Sequence, residues 1–345
     1  MISSLNSLGR NVVCNAQKIS TPSLIAISPT YQYTDYNIYV FTADTVCYLP
    51  SQNSAISGTG YYLVVGGGGS GGTDQGGGGG GGQVSYGSFN FPIGVNTYNI
   101  VIGAGGVSKT EGQVLTSINN GQPSSLSMNS SSIKTALGGG VGGCFSTAVL
   151  ATGYNGGGGN ANSAGIAGNG GFTGGTATAG GGGGAGAGGN GGIKNGGIGV
   201  QVPNTINGIY TYTVITNNYW WGGGGGGGTG TKSSASTTDP GATWYNTRIT
   251  PSGGIGGKGG GGAGGNNLSG VYWWKSFGAI TTLGSPISMG IAANSYGNND
   301  ITGMLASSEY VYGGNNTGGG GGGAMQSVNL CAHGGSGIVI IALPR

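Results

Sequence analysis

Apolar and polar positions in this chain follow the period of β-strands, and no stretch carries the 3.6-residue repeat of a helix over a useful length. Tyr36-Asn37-Ile38-Tyr39-Val40-Phe41 alternates, and Thr45-Val46-Cys47-Tyr48-Leu49 follows a short Ala43-Asp44 turn. Tyr61 to Val65 comes next, then Gln83 to Tyr86 with Phe89 and Phe91, and Tyr98 to Ile102. Ile338 to Ile341 closes the chain. β-Branched and aromatic residues bounded by turn formers are the strand pattern. The expected fold is all-β and irregular, with essentially no α-helix. Its base is a sheet with strands near 36–65, 83–102 and 338–343.

Between the strand at Tyr61–Val65 and the strand at Ile338–Ile341 the chain is dominated by glycine. Of its 89 glycines only Gly9, Gly58 and Gly60 precede Val65. The density is near that of collagen, but there is no G-X-Y period and only 10 prolines, which excludes a triple helix. A flexible linker is the usual meaning of such composition. Disorder, however, comes with high charge and few aromatics, whereas this chain is 5% charged and holds 18 Tyr and 5 Trp.

The alternative is a packed scaffold. Ordering glycine costs more backbone entropy than ordering any other residue. Backbone hydrogen bonds between neighbouring tracts can offset that cost. In polyproline-II geometry the chain has three residues per turn and no internal hydrogen bonds, so its N–H groups face sideways. Tracts such as Gly222–Gly228, about 22 Å long at that rise, can then lie side by side as a polyglycine-II-like bundle. Large side chains are expected in the turns and the outer layer.

The chain divides by composition into an N-terminal arm (1–30), a β-rich base that includes the first glycine block (31–137), and a glycine-rich block with long loops and the closing strand (138–345). The loops carry the bulky aromatics: Tyr210, Tyr212, Tyr219, Trp220 and Trp221 in one, Trp244 and Tyr245 in the next, Tyr272, Trp273 and Trp274 in a third. Trp and Tyr give rigid, amphipathic contact area. These ten residues are the candidate partner or receptor contacts. The competing reading has them capping the ends of the glycine block.

Charge adds little. Ten basic and seven acidic side chains leave a net +3, and none of the basic residues clusters into the stripe a nucleic acid needs. The N-terminus lacks the basic and apolar regions of a signal peptide, and no apolar run is long enough to span a bilayer. Cys14, Cys47, Cys144 and Cys331 form no CxxC; Cys14 and Cys47 are near enough in sequence to pair, and buried free thiols are the alternative. His333 is the only histidine, and its nearness to Cys331 does not make a dyad without a third orienting group. The acids Asp35, Asp44, Asp74, Glu111, Asp239, Asp300 and Glu309 are isolated. No catalytic, cofactor or metal residue is assigned, and no enzyme is expected.

The landmarks Tyr36–Phe41, Leu63-Val-Val-Gly-Gly-Gly-Gly, Tyr98-Asn-Ile-Val-Ile-Gly-Ala-Gly-Gly and Gly334-Gly-Ser-Gly-Ile-Val-Ile-Ile occur in an order that resembles the glycine-rich domain proteins of phage tail fibres, tail tips and large DNA viruses. The resemblance covers about residues 36–343. Ala342-Leu343-Pro344-Arg345 departs from the aromatic or basic residue often found after the last strand, and the arm has no counterpart. The resemblance implies a virion-surface role without choosing capsid, fibre or adhesin; the leading reading is a structural protein, capsid-associated or a fibre component, with other virion proteins or further copies of the chain as partners. An adhesin that recognises a host surface glycan or protein is the alternative. A secreted matrix or ice-binding protein is a third.

Overall fold

A computed structural model of the chain describes residues 25–26, 31–32, 36–49, 58–108, 116–144, 153–160, 163–177, 180–202, 219–228, 254, 256–257, 259–262, 264, 291–292, 312–324 and 331–344. Ten strands build two five-stranded sheets. They are β1 (Ile25–Ala26), β2 (Tyr31–Gln32), β3 (Tyr36–Phe41), β4 (Thr45–Tyr48), β5 (Gly58–Val65), β6 (Val84–Phe91), β7 (Thr97–Val101), β8 (Ser124–Met128), β9 (Ser131–Ala136) and, last in the chain, β13 (Ile338–Pro344). One sheet runs β2-β3-β13-β5-β6 and the other β1-β4-β7-β8-β9. Three short strands, β10 (Val200–Gln201), β11 (Tyr219–Trp221) and β12 (Ile291–Ala292), form a third sheet. The only helix among the described residues is a single 3₁₀ turn, Ser117–Asn119.

Alternation along the strands places the core. Tyr39, Phe41, Val64, Val339, Ile341 and Leu343 face Cys47, Tyr98, Ile100, Leu126 and Ala136 across the two larger sheets, so the pair is a sandwich. The opposite face of the first sheet is also buried: Ile38, Val40, Leu63, Val65, Ile338 and Ile340 pack with Val202 and Trp221. Burial on both faces explains why Ile338-Val-Ile-Ile-Ala-Leu is apolar without alternation. β13 lies between β3 and β5, pairing Ile338 with Val65 and Val339 with Phe41. The strand that closes the glycine region is therefore bonded to the strand that opens it.

β8 and β9 fall in a Ser/Asn-rich passage whose composition hides them. They form a hairpin through Asn129 and Ser130 at φ 49° and 66°, the left-handed pair of a tight two-residue turn. The alternating Leu126, Met128 and Ile133 were the available signal.

Glycine tracts leave the sandwich as continuations of its strands. β5 runs into Gly66–Gly72, and Gly76–Gly82 runs back into β6. β7, β8, β9 and β13 each adjoin a tract as well, at Gly103–Gly106, Gly121, Gly138–Gly143 and Gly334–Gly337. Hydrogen bonding in these tracts repeats every three residues. Gly76, Gly79 and Gly82 donate to Ala324, Gly321 and Gly318; Gly77 and Gly80 donate to Gly143 and Gly140; Gly78 and Gly81 donate to Gly182 and Ala185, all at 2.7–2.9 Å. Three residues per turn with all bonds going sideways is polyglycine-II geometry.

The remaining directions are filled too. Gly69 and Gly72 donate to Gly80 and Gly77, Gly225 and Gly228 to Gly79 and Gly76, and Gly158 to Gly78. Gly76–Gly82 is thus enclosed by six tracts: 66–72, 137–143, 155–158, 182–185, 222–228 and 318–324. Gly66–Gly72 and Gly222–Gly228 are enclosed in the same way. The first glycine block, assigned by composition to the base, lies inside the bundle, and the closing strand assigned to the glycine block is the central strand of a sheet. Base and bundle interleave along the chain rather than dividing it at residue 137.

Close packing leaves no room for a Cβ. One added at Gly225 lands on the carbonyl oxygen of Gly321, and one at Gly182 on that of Gly175. Gly189, at a turn, meets only Ile198 Cγ1 at 3.4 Å. Overpacking against side chains costs about 1–3 kcal/mol, and here the obstacle is backbone. Gly225→Ala is expected to destabilise by about 3 kcal/mol or more, whereas Gly189→Ala stays within about 1 kcal/mol of the parent. Paired thermal melts test this, and equal melting of the two variants contradicts the packing described.

Candidate functional site

Of the ten aromatic candidates, Tyr219, Trp220 and Trp221 lie in the described residues; Tyr210, Tyr212, Trp244, Tyr245, Tyr272, Trp273 and Trp274 lie outside them. The three share β11, which pairs Trp221 with Val200 and Trp220 with both Gln201 and Ile291. Trp221 is 0% exposed. It covers the outer face of the first sheet with Val202, immediately before Gly222 starts its tract. This corrects its assignment as a partner contact: Trp221 is a core residue. Trp220 is partly exposed and keeps some surface for a contact.

The direction of the tracts locates the described residues that flank the remaining loops. Gly82 is the sandwich end of Gly76–Gly82, because β6 follows it. Gly228 bonds to Gly76, and Gly254 to Gly227, so both lie at the end remote from the sheets. The segment 229–253, which contains Trp244 and Tyr245, is rooted there at both its ends. Segment 325–330 is rooted at the same end: Ala324 donates to Gly72 while Gly71 donates to Ala332. The turn Thr73-Asp74-Gln75 stands between these roots, with Asp74 and Gln75 at φ 46° and 54°.

Some polar side chains in the bundle replace a backbone partner. Asn155 is fully buried; its Nδ2 donates to the Gly81 carbonyl at 2.8 Å, and its Oδ1 accepts the Phe172 N–H at 3.1 Å. Asn120 Oδ1 accepts the N–H of Val141, which interrupts the tract after β9. At the junction with the sandwich, Ser124 Oγ donates to the Val65 carbonyl and accepts from the Gly103 N–H. Asp44 Oδ1 accepts the Ile102 N–H. No motif announces these residues; each is identified by the bond it completes.

His333 bridges two tracts. Its Nδ1 accepts the Ser108 N–H at 3.0 Å, Ser108 Oγ lies 3.1 Å from Nε2, and the ring tilts against Tyr312 at 5.2 Å between centroids. With Nδ1 accepting, the neutral ring carries its proton on Nε2 and donates it to Ser108 Oγ. That is the wrong polarity for activating a serine, because a general base must accept the hydroxyl proton. Cys331, two residues away, is buried and outside any disulfide, as are Cys47 and Cys144; Cys14 lies outside the described residues. Among the described residues there is no group of three or more His, Cys, Asp or Glu placed to hold a metal. No helix among them is long and apolar enough to cross a membrane.

An all-β protein whose strands continue into a bundle of glycine helices defines the class, and comparison with known families agrees. The glycine-rich domain model matches residues 52–279, and the chain belongs to that family. The fold extends beyond the match, since β3, β4 and β13 complete the sandwich. No curated protein and no solved structure matches the chain.

Two expectations follow. Trp221→Ala removes the largest fully buried side chain among the described residues and is expected to cost about 3–5 kcal/mol, measured by denaturant unfolding. Burial holds His333 below its ordinary value of 6.5. The unfolded chain therefore takes up this proton first as pH falls. The contribution to stability is complete above about pH 6.5 and is lost as the pH drops toward and through the folded value. Since His333 is the only histidine, the melting temperature of the parent should fall between about pH 7.5 and pH 5. His333→Asn should flatten that fall, and an equal fall in both proteins would falsify the assignment.

Proposed function

We propose that the protein is a structural component of a virus particle surface. In this reading the sandwich end is the attachment end, and the glycine bundle holds loops away from it. The observation that carries the reading is the placement of the roots at Gly228 and Gly254. Both lie at the pole opposite the sheets, and the sequence between them contains Trp244 and Tyr245. A bundle built from backbone bonds needs no apolar side chains of its own, so the loops between tracts are free to vary in length and chemistry. The order of the strand and glycine landmarks, which resembles that of virion-surface glycine-rich proteins, favours the same role. The chain is 5% charged, so its contacts with neighbours are apolar and hydrogen-bonded.

The same observation supports a second reading, a receptor-binding adhesin in which the remote loop touches a host glycan or protein. Aromatic side chains stack on sugar rings and fill partner pockets.

Mass spectrometry of purified particles, before and after protease shaving of the intact surface, separates these readings from a secreted role. Peptides from 229–253 are expected in particles and are expected to disappear on shaving. Absence of the protein from particles removes the virion reading. The double substitution Trp244→Ala, Tyr245→Ala then distinguishes the two virion roles: loss of host attachment with normal assembly points to the adhesin, and unchanged attachment to the purely structural component.

A further inference from the structure

The two larger sheets have four edge strands: β1, β2, β6 and β9. An edge strand presents a row of unpaired N–H and C=O groups that templates another strand unless something blocks it. β1 and β2 are two residues long, too short to template anything. β9 carries Lys134 near its middle, and its partner β8 breaks register between Leu126 and Ser127, which twists that edge. Lysine and irregular pairing are recognised protections of an edge.

β6 has neither. Val84-Ser-Tyr-Gly-Ser-Phe-Asn-Phe91 is eight residues without charge or proline, in unbroken register with β5 from Gly58–Phe91 to Val65–Val84. Gly87 does not open a gap, because the Tyr62 ring lies over it. Near the bundle the two sheet edges are tied together, with the Gln83 N–H donating to the Leu137 carbonyl and the Leu137 N–H to Gln83 Oε1. Beyond that tie, no backbone group among the described residues bonds to the outer side of the strand. Tyr86, Ser88 and Asn90 are exposed along it.

We propose that β6 is the edge through which two copies of this chain join. Their β6 strands pair antiparallel about a two-fold axis, and the two β2-β3-β13-β5-β6 sheets become one continuous sheet. A two-fold interface brings a surface against itself, so a strand with like charges would repel its copy. β6 meets this requirement because it has no charge, and a second copy always supplies an edge of matching length. The pairing does not rest on a virion role. It would place two bundles on one shared base.

Sedimentation velocity of the full chain over a dilution series tests the proposal. A reversible dimer is expected. Ser88→Lys, which sets two like charges near the axis, should weaken it by about two- to fivefold. Thr135→Lys on β9 should leave it unchanged. Hydrogen exchange on the unsubstituted chain gives a readout that does not depend on a variant folding: amides from Tyr86 to Asn90 should slow as concentration rises. A monomer at every concentration overturns the proposal, as does a dimer that Ser88→Lys leaves intact or one in which these amides gain no protection. Absence of the protein from virus particles would remove the virion reading while leaving the dimer as measured.

Discussion

Close approach between backbones is the constraint on which this structure depends. In Gly76–Gly82 each residue turns its N–H toward one neighbouring tract and its Cα toward another. Both demands require the neighbours to stand so near that a Cβ has no place. Each hydrogen bond contributes only about 1 kcal/mol net, and Cα–H···O contacts add a second-order term. The entropy given up by ordering glycine is at least as large per residue. The balance is favourable only because the bonds are cooperative in space. A central tract is satisfied on all sides, and leaving a buried N–H without a partner would cost more than any single bond gains.

This dependence explains why the sandwich is there. A glycine tract has no side chain to specify its neighbour or its register. The strands supply both. β5 pairs with β6 and β13 in the sheet, and the tracts continuing from those three strands remain neighbours in the bundle, as Gly69 to Gly80 and Gly68 to Gly335 show. The second sheet adds the tracts beside β7, β8 and β9 on the other side of Gly66–Gly72, through Gly106 to Gly68, Ser70 to Asn119, and Gly139 to Gly67. Apolar side chains thus set the starting positions, and the backbone lattice extends them.

Three polar side chains in the bundle illustrate the same rule. Asn155 and Asn120 are tolerated because their amides stand in for backbone groups that a missing tract would have supplied. His333 is tolerated as a neutral ring tying the tract before β13 to the end of the tract after β7. The consequence for function is a scaffold with few side-chain commitments, in which insertion length is constrained only where a loop meets its two roots. Trp221 is the exception that the position of β11 imposes. The residue before Gly222 must close the outer face of the first sheet, so it was unavailable for a contact.

Much of the fold was legible in the residues. Alternation in Tyr36–Phe41 and the apolar runs before Gly66 and after Gly337 mark strands, because a strand's side-chain period is a local property. The excess of glycine with little charge marks a packed array, because an uncharged open coil of that composition has no stabilising alternative. The hairpin at Asn129-Ser130 was hidden by serine, whose side chain says little about the face it occupies. Which tract lies beside which, that the first glycine block is enclosed by other tracts, that Trp221 is core while Gly228 and Gly254 lie at the far end, and that β6 is last in its sheet were decided only in three dimensions. The reason is physical: glycine carries no side-chain information about its neighbours, so only the pairing of distant strands and the three-residue hydrogen-bond cycle they start can assign every tract its place.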